Sequence, residues 1–151
     1  MTMTGLAERI AALVAGERDM IALMATLACE LHHSDDRFQW TGFYRVVAPG
    51  LLKIGPYQGG HGCLSIPFER GVYGAAARGG EVQIVDDVTA FPGHIACSAS
   101  TRSEIVLPVR GAGGRLLGVL DIDSDRRAAF TRDDGDRLSA ILAASFEGVA
   151  P

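Results

Sequence analysis

Apolar residues recur at helical spacing near both ends of the chain and at alternate positions between them. Leu6, Ile10, Leu13 and Val14 fall on one helical stripe, and Ile21, Met24, Leu27, Ala28 and Leu31 carry a second, with Gly16 between the two. Ser34-Asp35-Asp36 ends that pattern. Residues 38–47 then read as a strand, with Phe38, Trp40, Gly42 and Tyr44 on one face and Thr41, Phe43 and Val47 on the other. Pro49-Gly50 turns the chain into a partner strand over 51–57. A glycine-rich loop covers 58–62, and the short apolar run 63–68 is confined by Pro67 to an edge or a turn.

The pattern 72–78 predicts a short helix stopped by Gly79-Gly80, followed by a strand over 81–85 and a long loop over 86–103. Residues 104–110 and 116–124 form a strand pair joined through the turn 111–114. Thr131 reads as a helix N-cap, with Asp134 three residues on completing a near capping box, and Leu138, Ile141, Leu142 and Phe146 give the last helix its buried stripe. The expected fold is α+β: one domain over 1–151, with N-terminal helices in 1–33, a sheet and its loops in 38–124, and a C-terminal helix in 131–147. About six strands with mostly short connections form a central antiparallel sheet, and the helices lie on one side of it.

Composition narrows the function classes. The chain has 151 residues, 48% hydrophobic and 21% charged, which suits one globular core. A net charge of −4 argues against a nucleic-acid groove. No apolar run approaches the roughly 20 residues that span a bilayer, and residues 1–6 lack the layout of a signal peptide. The expected protein is cytoplasmic, bound to neither membrane nor nucleic acid. Three cysteines, Cys29, Cys63 and Cys97, are an odd count that argues against a structural disulfide framework.

Several residues could carry chemistry. Cys97 lies in the long loop after Gly93-His94 and reads either as a nucleophile or as a small buried side chain. Asp121 and Asp123 alternate with Leu120 and Ile122, so both carboxylates share one strand face. Like charges so placed need compensation in a pocket, or else a solvated outer face. Glu104 opens the preceding strand and could add a third carboxylate. Trp40 and Tyr44 could wall a pocket for a soft apolar group, or be core. His61-x-Cys63 and His94-x-x-Cys97 could supply four zinc ligands, but zinc sites favour tighter Cys-x-x-Cys pairs, and no metal is expected. Cys29 sits in an amphipathic helix as a packing residue.

Trp40-Thr-Gly-Phe-Tyr44, Gly55-Pro-Tyr-Gln-Gly59, Ile66-Pro-Phe68, Phe91-Pro-Gly-His-Ile-Ala-Cys97, Ser103-Glu-Ile105 and Gly118-Val-Leu-Asp-Ile-Asp-Ser124 together resemble the free methionine-(R)-sulfoxide reductases, which are GAF-domain enzymes. The resemblance covers nearly the whole chain and includes the segment Gly16-Glu-Arg-Asp19. It implies a single GAF domain in which Cys97 is the catalytic cysteine and Trp40, Tyr44, Glu104, Asp121 and Asp123 form the substrate pocket. It matches Cys63 to a pocket cysteine that can act as a resolving thiol. It also implies a homodimer, no bound cofactor, recycling by thioredoxin and preference for the R epimer. The chain departs from the family at Gly71-Val-Tyr73-Gly74, where a further cysteine is usual in place of Tyr73.

A sulfoxide becomes electrophilic when its oxygen is protonated, so a thiol attacking it needs a nearby acid. Crowded carboxyls such as Glu104 and Asp123 have raised pKa values and can supply one. The same cluster suits the ammonium of a free amino acid. The reaction expected is attack of Cys97 on the sulfoxide sulfur, leaving a sulfenic acid that Cys63 resolves as a disulfide. The alternatives are a GAF module that binds a small ligand without turnover, for which no output domain is in view, and a zinc-binding interaction protein.

Overall fold

The structure is a computed structural model that describes residues 2–95 and 97–151. In chain order the elements are α1 (Met3–Leu13), α2 (Met20–Ser34), β1 (Trp40–Ala48), β2 (Leu51–Gln58), β3 (Ser65–Pro67), α3 (Gly71–Gly79), β4 (Gln83–Val85), β5 (Ser103–Arg110), β6 (Leu116–Ser124) and α4 (Arg132–Phe146). The strands form one antiparallel sheet in the order β3-β2-β1-β6-β5-β4. The central pair, β1 and β6, joins segments from opposite halves of the sequence. Among the described residues no helix is long and apolar enough to cross a membrane.

Strand alternation splits the sheet into two unlike faces. One face presents Phe43, Ile105, Leu107, Leu120 and Ile122 to Leu6 and Ile10 of α1, Leu23, Leu27 and Leu31 of α2, and Leu138, Leu142 and Phe146 of α4. Each such side chain, once buried, stabilises the fold by about 1.5–3 kcal/mol. The other face presents Tyr44, Val106 and Val119, beside Leu52 and Ile66, to Val72, Ala76 and Ala77 of α3. The expectation that all helices lie on one side is therefore corrected: α1, α2 and α4 do, and α3 covers the opposite face. The small residues of α3 allow that close approach, and Gly80 ends the helix at φ 67, in the left-handed region.

Some stripe positions also differ. Phe38 precedes β1 and packs in the helix-side core, not with Trp40, because the strand's alternation begins only at Trp40. Leu13 and Ile21 are exposed, since α1 ends at Leu13 and α2 begins one residue before Ile21. The run 63–68, expected as an edge or a turn, forms the edge strand β3, and the strand expected over 81–85 shortens to β4 at the other edge. The capping box forms: the Asp134 amide donates to Thr131 Oγ1 at 3.2 Å, and the Thr131 amide donates to Asp134 Oδ2 at 2.8 Å. Asp134 also receives Arg37, which spans to Asp35 and so ties the chain before β1 to the start of α4.

Candidate active site

Register assembles the site. Between β5 and β6, Glu104 stands opposite Asp123 and Val106 opposite Asp121. Between β1 and β6, Trp40 stands opposite Asp123 and Gly42 opposite Asp121. Asp121 and Asp123 alternate with Leu120 and Ile122, so both carboxylates face away from the three-helix core, as their spacing predicts. Gly42 is a steric requirement here: a β-carbon at this position would collide with the Trp40 indole, which lies along the strand in the space it leaves. The indole stacks on Tyr57 at 5.4 Å and on Tyr44 at 6.0 Å between ring centroids, and its Nε1 donates to the Gly60 carbonyl at 2.6 Å. That bond fixes the glycine-rich loop over the site.

Glu104, Asp121 and Asp123 are 1%, 0% and 7% exposed, so the reading of the pair as a solvated outer face fails. One oxygen from each carboxylate lies within 4.8 Å of the others. Both oxygens of Glu104, both of Asp121 and Oδ1 of Asp123 have no hydrogen-bond partner. His94 Nε2 is 3.8 Å from Glu104 Oε2. Buried polar groups are rarely left this way, and such a cluster marks a place built for something else.

A cavity of about 220 Å³ opens on the cluster, lined by Trp40, Tyr44, Tyr73, Cys97, Asp121 and Asp123, with Ser98, Ser100 and Thr101 from the long loop. Its size is below the roughly 300–1,000 Å³ of drug-sized sites and suits a ligand the size of an amino acid. Cys97 is joined to Cys63 in a disulfide with a Cα–Cα distance of 5.4 Å. Glu104 does not line the cavity; it reaches it through its contact with Asp123.

Residues 14–144 match the GAF domain family. The chain belongs to the GAF domain family. It is 41% identical over 132 residues to the free methionine-R-sulfoxide reductase of Escherichia coli, covering 87% of this chain and 79% of that protein. The reduced form of fRMsr of Staphylococcus aureus superimposes with a TM-score of 0.90 at 36% identity, over 96% of this chain and 93% of that one. The free methionine-R-sulfoxide reductase of Neisseria meningitidis in complex with its substrate gives 0.88 at 39% identity, over 95% and 85%.

Burial sets the chemistry of this GAF pocket. It pushes the Glu104 carboxyl up to about 7, against a small opposing effect of the contact with Asp123. Burial, reinforced by the neighbouring acids, holds Asp121 and Asp123 well above the usual carboxylate range. The Tyr44 and Tyr73 phenols are raised by burial and then by the same carboxylates. Burial lowers His94, with Asp123 opposing. The cluster therefore keeps protons near neutral pH. It can donate one, or lose it to receive a cation. A divalent metal could meet three oxygens here but needs roughly six to eight oxygen ligands if it is calcium; an alkylammonium satisfies the same oxygens with hydrogen bonds alone.

The GAF fold brings Trp40, Tyr44, Asp121, Asp123 and Cys97 to one cavity, with Cys63 bonded to Cys97 and Glu104 behind Asp123. Cys63 and Cys97 are engaged with each other, so the four-residue zinc arrangement with His61 and His94 does not form. Cys29 is exposed, not packed: its Sγ lies 3.8 Å from His33 Nδ1 on the outer side of α2. Tyr73, the position where the chain departs from the family's cysteine, is a cavity wall; His94 as a neighbour of Glu104 and Gly42 as the space for the indole were not anticipated. A tyrosine in the alanine- and glycine-rich α3, and a glycine inside a strand at Gly42, were the available signals.

Proposed function

We propose that this chain reduces free L-methionine (R)-S-oxide to methionine. One observation carries the reading: Cys97, disulfide-bonded to Cys63, opens onto the same cavity as the buried, unpartnered carboxylates of Asp121 and Asp123. The likeness to proteins named for this activity, one of them in complex with its substrate, supports it.

In this reading the substrate's ammonium lies against Asp121 and Asp123, supplying the positive charge that the chain does not. A blocked amine cannot do so, which restricts the enzyme to the free amino acid. Trp40 and Tyr44 wall the sulfur end, where a thioether or sulfoxide packs well on aromatic rings. Glu104 and Asp123 share a proton that is delivered to the sulfoxide oxygen. The Cys97 thiol attacks sulfur and an S–S bond forms as the protonated oxygen leaves as water; water then attacks Cys97 Sγ and returns a proton, the S–S bond breaks, and methionine leaves with the two electrons lost by Cys97, now a sulfenic acid. The Cys63 thiol then displaces hydroxide from the sulfenic acid, and with one proton it leaves as water. An external dithiol reduces the resulting disulfide and is itself oxidised. The ammonium also offsets the carboxylates that would otherwise disfavour the Cys97 thiolate, which couples thiol activation to binding.

Thioredoxin is the dithiol we assign, acting on a homodimer in the cytoplasm, where reducing couples reopen such bonds. The test follows consumption of each epimer with thioredoxin, its reductase and NADPH. The R epimer is expected to be consumed. Cys97→Ser loses even a single turnover, while Cys63→Ser keeps one turnover and stops cycling. Binding of the sulfoxide without consumption by the reduced protein would replace this reading with a ligand-binding module.

A further inference from the structure

Tyr73 is 2% exposed, lies on α3 and lines the cavity with Cys97 and Asp121. Its ring is 5.0 Å from that of Tyr44, inclined by 60°. Its hydroxyl faces Asp121 and pulls that carboxyl back down, yet neither Asp121 oxygen completes a hydrogen bond of normal geometry. Phenylalanine would pack against Tyr44 as well, so packing does not account for the hydroxyl. The hydroxyl is therefore placed for a ligand atom.

We propose that Tyr73 is a substrate-contacting catalytic residue whose hydroxyl donates a hydrogen bond to the sulfoxide oxygen. The proposal rests on the reductase reading above and names a residue that reading does not use. The sulfoxide oxygen carries partial negative charge, and carboxyls that release a proton to receive the ammonium repel it. Entering a cavity lined by Asp121 and Asp123, it needs a donor that stays neutral. Tyr73 is such a donor: burial and the surrounding carboxylates oppose phenolate formation. It polarises the S–O bond without giving up its proton, and the transferred proton comes from the carboxyl pair.

The test separates the sulfoxide oxygen from the rest of the ligand. In a Cys97→Ser background, which cannot turn over, free methionine (R)-sulfoxide and methionine are titrated calorimetrically with and without Tyr73→Phe. Loss of the hydroxyl is expected to weaken the sulfoxide about tenfold and methionine less than about twofold, since methionine lacks the oxygen. With Cys97 restored, the single-turnover rate at saturation falls about 100-fold. Tyr73→Leu must show the same loss of preference for the sulfoxide, so the outcome does not hang on one variant. Equal weakening of both ligands, or of neither, overturns the proposal. Failure of the Cys97→Ser parent to bind the sulfoxide overturns the reductase reading itself, and this proposal with it.

Discussion

Asp35 and Asp134 close around Arg37, whereas among the described residues no lysine or arginine pairs with Glu104, Asp121 or Asp123. Arg37 reaches Asp35 at 2.6 Å and Asp134 at 2.8 Å, and both carboxyls are pulled below the usual range. For Asp35 the Arg37 hydrogen bond is the largest influence; for Asp134 burial opposes the shift, and the Arg37 bond with the capping-box amide outweighs it. In the second cluster burial acts with no arginine or lysine against it among the described residues, and all three carboxyls go up. The same residue types thus serve opposite ends. The satisfied group fastens α4 to the chain before β1. The unsatisfied one stores unfavourable desolvation that a cationic ligand can relieve.

The sharpest way to break this contrast is to remove one acid from the unpaired cluster. Asp121→Asn is expected to lower kcat/KM for free methionine sulfoxide about 1,000-fold while raising the melting temperature of the ligand-free protein. An unchanged rate would remove Asp121 from the site, and a lower melting temperature would show the carboxylate already compensated.

The next largest effect is on pH dependence, and the two clusters have opposite signs. A carboxyl raised in the folded state binds a proton that the unfolded chain has released, so stability is lost as pH rises from about 4.5 toward 7, through the Glu104 range. The loss is on the order of 1–3 kcal/mol, and Glu104→Gln should flatten this limb. Asp35 and Asp134 are lowered, so their contribution is present above the ordinary carboxylate pKa and lost as pH falls below it. Urea denaturation from about pH 2 to 8 reads both limbs; a profile rising through neutrality in the native protein would contradict the assignment.

Arg37→Met strands Asp134 beside α4 and is expected to cost about 2 kcal/mol in urea denaturation, with kcat/KM unchanged within about twofold. The smallest effect is at Thr131→Ala, about 1 kcal/mol from the lost N-cap, again with no change in turnover.

What could be read from sequence follows the range of the interaction. The capping box at Thr131 and Asp134 spans three residues and was legible. So was the shared face of Asp121 and Asp123, because alternation is a property of one strand. Which residues stand beside them was not. Trp40 meets Asp123 only because β1 pairs with β6, and Glu104 meets it through the β5–β6 register; both depend on pairings between distant segments. The placement of α3 is equally non-local, and with it the entry of Tyr73 into the cavity. The Cys63–Cys97 pairing came from family resemblance; their separation of 34 residues carries no such information.

The unpaired cluster lacks a positive charge that the substrate brings. Calorimetric titration of Cys97→Ser protein near pH 7 with free methionine (R)-sulfoxide and with its N-acetyl derivative addresses this most directly. The account predicts that acetylation weakens binding at least about 100-fold, and that Asp121→Asn narrows the gap. Equal affinity for the two compounds would contradict it.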